Sequence, residues 1–175
     1  MRKTLSLIFV SFFVLFAFVS CSNSYLEVIP KSANTAAVCA KDRSKVPSNL
    51  SIPSTIDGYK IVTIGNFEKC EKIRKVTIPE GVTDIGAGAF YRCSNLTSVY
   101  LPASLQHFWT DSIVEGGTHP FYSCYRLQVI EYGGTYEQWC KLRIGGDKIT
   151  WASDLVGSGG QKITLKCKDK TVTLK

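Results

Sequence analysis

Apolar residues in the middle of the chain return in a fixed rhythm. Phe67, Cys70, Ile73, Val76 and Ile78 come back as Phe90, Cys93, Leu96, Val99 and Leu101, each displaced by 23 residues. They return again as Phe121, Cys124, Leu127, Ile130 and Tyr132, displaced by 31, which is one period plus an eight-residue insertion. Pro79 and Pro102 close the first two units, and Leu50-Ser51-Ile52-Pro53 is an earlier half-unit at an offset of 26. A strand-and-turn unit of this size cannot bury its apolar face alone, so a repeated unit implies stacking into a solenoid with one continuous core. The predicted fold is therefore mostly β, a short solenoid of about three to three and a half coils of ~23 residues.

Strand alternation assigns the faces. With Val76 and Ile78 turned inward, Lys75 and Thr77 face solvent, as do Ser98, Tyr100, Val129 and Glu131 in the following coils. Cys70, Cys93 and Cys124 fall in core register beside Phe67, Phe90 and Phe121, with Ile73, Leu96 and Leu127 completing the repeat core. This predicts a column of small buried thiols. A disulfide between adjacent coils is the alternative, whereas tetrahedral zinc needs four converging ligands and a stacked column supplies a line. After the last repeat, Lys162 to Cys167 and Thr171 to Lys175 alternate around Lys168-Asp169-Lys170, predicting a β-hairpin that caps the final coil.

The stretch from Val82 to Pro102 resembles a full repeat of the BspA-like leucine-rich repeats of bacterial surface proteins, and the likeness runs from about Ile52 to Tyr132. It extends weakly into Gly133-Gly134-Thr135-Tyr136-Glu137-Gln138-Trp139, and Tyr132-Gly133 departs from the closing Leu-Pro. The resemblance implies a non-catalytic leucine-rich-repeat module for adhesion to host or bacterial surface molecules, with a protein or glycan as ligand.

The N-terminus adds an address. Met1-Arg2-Lys3 precedes a mainly apolar run from Leu5 to Val19, too short to span a bilayer, which reads as a signal peptide over residues 1–20. Phe18-Val19-Ser20-Cys21 resembles a lipobox with Phe18 in place of the usual Leu. That resemblance implies lipidation of Cys21, export, and anchoring at the outer membrane or cell surface; an ordinary secreted cysteine is the alternative. Residues 21–45, rich in Ser, Asn, Ala and Lys, read as a lipidated tether, 46–132 as the solenoid, and 133–175 as the C-terminal cap.

Composition narrows the function classes. The net charge is +7, but Lys and Arg are scattered among acids rather than striped, which argues against nucleic acid. Of seven cysteines, one acylated at Cys21 would leave six, an even number suited to an oxidising compartment and open to fifteen pairings. Only His107 and His119 are available as bases, and the nearby pair His119 and Cys124 uses a core cysteine, so neither enzyme nor cofactor nor small-molecule substrate is expected. Tyr100, Lys75 and Trp109 are the candidate ligand contacts. Trp109 belongs to an insertion between Phe108 and Pro120 that serves either as a binding loop or as a packed lid. A structural role in envelope assembly, without external ligand, is the alternative function.

Overall fold

The computed structural model describes residues 24–110, 119–145, 147–148, 153–156 and 161–174. The expected signal peptide, the expected lipidation site Cys21 and residues 111–118 of the insertion lie outside the described residues.

The chain enters through β1 (Leu26–Pro30) and β2 (Thr35–Ala40), an antiparallel hairpin. It then alternates between two sheets. β3 (Asn49–Ser51) opens the first repeat face, and β4 (Thr55–Ile56) with β5 (Tyr59–Ile64) returns the chain to the sheet holding β2. Asp57 and Gly58 between them both have positive φ, 51° and 83°, the geometry of a tight hairpin turn. The same alternation continues through β6 (Lys75–Thr77), β7 (Asp84–Ile85), β8 (Ser98–Leu101), β9 (His107–Phe108) and β10 (Val129–Tyr132). A short helix α1 (Tyr136–Trp139) leads to β11 (Arg143–Ile144) and β12 (Asp147–Lys148), and α2 (Ser153–Val156) leads to β13 (Ile163–Lys166) and β14 (Thr171–Leu174).

The result is a solenoid with two walls. The front sheet runs β14-β13-β10-β8-β6-β3 and the back sheet β1-β2-β5-β7-β9-β11-β12, with β4 attached to β5. In the front sheet Leu50, Val76, Val99, Ile130 and Leu165 pair in sequence across parallel strands. The first four are the offsets of 26, 23 and 31 residues read from the repeat, so the insertion is absorbed without slipping register.

The array is longer than the repeated motif. Residues 26–45, expected as a tether, instead form β1, β2 and a single 3-10 turn, Arg43–Lys45, and β2 pairs in parallel with β5. Ala36 and Val38 are fully buried there, yet the strand TAAVCA carries too little hydrophobic contrast for its alternation to stand out. At the other end β13 belongs to the predicted hairpin with β14 and also extends the parallel sheet from β10. Among the described residues the two sheets thus each hold five parallel strands, more than the expected three to three and a half coils. In the last coil α2 replaces the Phe turn, with the Phe121 and Ser123 N–H groups donating to the Leu155 and Val156 carbonyls.

Between the walls, the rings of Phe67, Phe90 and Phe121 stack at successive centroid distances of 5.5 Å. All three are inaccessible to solvent, as are Cys70, Cys93, Cys124, Ile73 and Leu96, with Leu127 nearly so. The turns carrying them are bonded coil to coil: Phe67 and Lys69 N–H donate to Ala89 and Tyr91 carbonyls, and Phe90 and Arg92 N–H donate to Pro120 and Tyr122 carbonyls. The residue before each cysteine, Lys69, Arg92 and Ser123, sits in the left-handed region with φ of 55°, 55° and 62°. That conformation costs an L-residue about 1–2 kcal/mol, and it recurs because each turn must expose its N–H and C=O groups to both neighbours.

Two outcomes check this packing. Phe90→Ala is expected to lose about 3–5 kcal/mol in urea denaturation, since a ring is removed from the middle of the stack, whereas Thr77→Ala on the front face stays within about 0.5 kcal/mol. Lys69→Val, although exposed, is expected to cost about 1–2 kcal/mol because a β-branched residue resists positive φ; Lys75→Val, exposed on a strand, should be tolerated. Equal effects at Lys69 and Lys75 would contradict the backbone assignment.

Candidate functional site

Stacked coils place equivalent side chains in rows, and the front sheet offers two. One runs Asn49, Lys75, Ser98, Val129, Thr164 and the other Ser51, Thr77, Tyr100, Glu131, Lys166. Lys75 and Thr77 are exposed, while Ser98, Tyr100 and Val129 are half-buried. Glu131 and Lys166 form a surface ion pair at 3.6 Å, an interaction worth little in water. Tyr100 does not stand free: its hydroxyl lies over Gly133, where a Cβ would meet it at 2.6 Å. The departure from Leu-Pro at Tyr132-Gly133 therefore makes room for the Tyr100 ring.

The back sheet carries a more organised cluster. Thr63, Asp84, His107 and Arg143 occupy one row across β5, β7, β9 and β11. Asp84 is its hub: the Trp109 indole N–H donates to Oδ1 at 2.9 Å, Thr83 Oγ1 donates to Oδ2 at 2.6 Å, and His107 Nδ1 stands 3.4 Å from Oδ1. Burial pushes the Asp84 carboxyl up, but the hydrogen bonds from Thr83 and Trp109 and the nearby charges of His107 and Lys31 outweigh it and hold the group below its ordinary value. Trp109 is 54% exposed and tilted against the His107 ring at 5.9 Å. An exposed indole is thus held in one orientation, which lowers the entropy lost when a ligand stacks on it. Arg143 is already engaged, its Nη1 donating to the Cys140, Lys141 and Leu142 carbonyls after α1. A shallow cleft of about 310 Å³ beside His107 also takes in Gln106, Gln138 and Arg143.

Of the three sequence-derived contacts, Lys75 and Tyr100 share the front wall and Trp109 lies on the back, so they do not form one site. Trp109 is exposed, whereas Phe108, its neighbour, is buried and packs edge-on to Phe121. Asp84 and His107 were missing from the sequence-derived set. Their separation of one repeat period was the available signal, since 23 residues places them side by side in adjacent coils.

The thiol column is structural. Cys93 Sγ donates to the Phe67 carbonyl at 3.2 Å and Cys124 Sγ to the Phe90 carbonyl at 3.0 Å, each thiol tying its coil to the previous one. Burial pushes Cys70 up to about 11 and Cys124 to about 12, and drives Cys93 up as well. A buried thiol that keeps its proton is a poor nucleophile, and His119 stacks on Tyr122 instead. Among the described residues no group of three or more His, Cys, Asp or Glu side chains is arranged to hold a metal ion, and no helix is long and apolar enough to cross a membrane.

Two stacked parallel sheets, a Phe and Cys column, and a 23-residue period together define the repeat type, and residues 43–137 match the BspA type Leucine rich repeat region (6 copies). The chain belongs to the BspA type leucine rich repeat family. Repeats of this family generally act as protein-interaction modules and are generally non-enzymatic. The fold is similar to the crystal structure of the T. pallidum leucine rich repeat protein TpLRR, with a TM-score of 0.54 at 18% identity over 76% of this chain and 67% of that one. A leucine-rich repeat protein from Bacteroides ovatus matches with a TM-score of 0.49 at 22% identity, over 83% of this chain and 36% of that one. Among curated proteins none matches the sequence.

The thiols predict a pH dependence. Unfolded thiols ionise near 9, while the native column holds its protons to about 11 or beyond. Their raised values therefore contribute stability that is complete below pH 9 and is lost as pH rises through 11. The urea midpoint is expected to fall steadily between about pH 9 and 11; a midpoint that stays level would contradict protonated burial.

Proposed function

We propose that the protein is a lipid-anchored, non-catalytic surface module that binds a protein or glycan of host or bacterial surfaces through the Trp109 cluster on its back wall. The observation that carries this reading is the exposed Trp109 indole fixed by its hydrogen bond to Asp84. A rigid aromatic with polar neighbours is the usual form of an interface anchor, because it contributes large contact area at low entropic cost. His107 and the adjoining cleft supply donors and acceptors around it. Tyr100 and Lys75 on the front wall form the second candidate surface, with Lys75 acting chiefly on association rate and salt dependence. Anchoring at the outer membrane or cell surface through an acylated Cys21 rests on the leader and on Ser20-Cys21; two or three acyl chains at ~0.8 kcal/mol per buried methylene make such attachment lasting.

The test begins with the domain screened on glycan and matrix-protein arrays. For a retained ligand, Trp109→Ala is expected to weaken binding about tenfold or more, with circular dichroism unchanged. Asp84→Asn keeps one acceptor and removes the charge, and a smaller loss is expected. Full affinity in Trp109→Ala combined with loss in Tyr100→Ala and Lys75→Ala would move the site to the front wall. Failure to retain any ligand would favour the envelope-assembly role. Separately, mass spectrometry of the native N-terminus is expected to find acylated Cys21 and no leader; an unmodified terminus elsewhere would remove the anchor.

A further inference from the structure

Six cysteines lie among the described residues, and four of them are withdrawn from solvent. Cys70, Cys93 and Cys124 form the core column, and Cys39 is buried in the back sheet with its thiol directed at Glu27. Cys140 is exposed and Cys167 is half-exposed. Neither follows the repeat register, and Cys167 packs only partly buried against the core.

The fold brings their two segments together. Cys140 directly follows α1, and Cys167 directly precedes the turn joining β13 to β14. That turn is docked on the start of α1 by three contacts. The Lys168 N–H donates to the Gly134 carbonyl at 3.0 Å, the Tyr136 N–H donates to Asp169 Oδ1 at 2.8 Å, and the Lys170 ammonium lies 4.5 Å from the Tyr136 ring centroid. Tyr136 and Cys140 are one helical turn apart, joined by the Cys140 N–H to Tyr136 C=O bond at 3.0 Å, so they share the face turned to this docked segment. Electrostatics agrees with that placement. Cys140 pushes the Tyr136 phenol up, foremost by its charge, and Cys167 pushes the same phenol in the same direction. Cys167 itself is pushed up to about 11, by burial first and then by Asp169 and Cys140.

We infer that Cys140 and Cys167 form a disulfide that fastens the β13-β14 cap to the loop behind the fourth coil. The oxidant is a disulfide, either of a small thiol such as glutathione or of an oxidoreductase. The exposed Cys140 thiolate attacks one sulfur of that disulfide, forming a mixed disulfide and releasing one thiol. The Cys167 thiolate then attacks Cys140 Sγ, breaking the mixed disulfide and releasing the second thiol. Two electrons pass to the oxidant, and the two protons lost by Cys140 and Cys167 are balanced by those on the released thiols. Because the bond closes a loop that includes α2 and the three strands β11, β12 and β13, it restricts the unfolded chain and holds the terminal coil shut. The three core thiols stay reduced through the same treatment, since they lack solvent access.

The full chain, purified under reduction, is exposed to oxidised glutathione, alkylated, digested and mapped by mass spectrometry without reduction. The expected product is one intramolecular Cys140-Cys167 link with loss of two hydrogens. Thermal unfolding should shift up by about 5–10 °C and return on adding dithiothreitol. Cys140→Ser and Cys167→Ser should each remove the link and the shift while leaving the reduced melting point near the parent's. Glutathione adducts on both cysteines without a link, a link to Cys39 or a core cysteine, or a dimer joined through Cys140 would each overturn the assignment. The parent alone decides between these outcomes if a variant fails to fold.

Discussion

Stacking between coils is the interaction on which the rest depends. A single turn of this chain offers two strands of two to six residues and one Phe, far short of what is needed to offset its conformational entropy. Its backbone groups are in the same position, because the N–H of one turn is satisfied by the carbonyl of the next. Apolar burial and hydrogen bonding are therefore both lent by neighbours, and each coil is folded only as far as its neighbours are. The stacked Phe rings and the thiol-to-carbonyl bonds make the same point through side chains, with every link running from one coil to the next.

Such a structure creates a difficulty at its ends, where a coil has a neighbour on one side only. The chain answers with antiparallel strands at three of the four sheet ends. β1 covers β2 and β12 covers β11 on the back wall, and β14 covers β13 on the front. The fourth end is β3, three residues long with Asn49 and Ser51 outward, short and polar as sheet edges that avoid pairing tend to be. Capping is thus built from reversals of strand direction rather than from a separate domain. This is also why residues 26–45 are an integral part of the solenoid.

The same stacking organises the surface. A period that aligns core residues aligns outward residues as well, so a carboxylate in one coil meets a histidine in the next and an indole two residues beyond. The Asp84 cluster uses residues that look unremarkable when read along the chain and form a hub when read across it. On the opposite wall, ordinary threonines, serines and one tyrosine form a flat polar sheet with paired charges. The two walls differ most in how their aromatic group is held: Trp109 is fixed by its polar end and 54% exposed, and Tyr100 is partly covered.

The period, the inward and outward positions and the register of four front strands were legible in the sequence, because a 23-residue repeat with a Phe and Cys signature leaves little freedom once stacking is required. The closing hairpin was legible too, from simple alternation about Lys168-Asp169-Lys170. The outer coils were not, since Ala36 and Val38 in β2 and Leu155 and Val156 in α2 fill the core without the repeat's signature residues. The candidate site was legible only as Trp109. Which wall it occupies, and the partnership with Asp84 and His107, depend on where the short back strands fall between coils, and two-residue strands carry no alternation to read. The docking of the last turn on α1 was likewise decided by tertiary structure: the two touch because the cap folds back on the final coils, a contact between distant residues that no local pattern encodes.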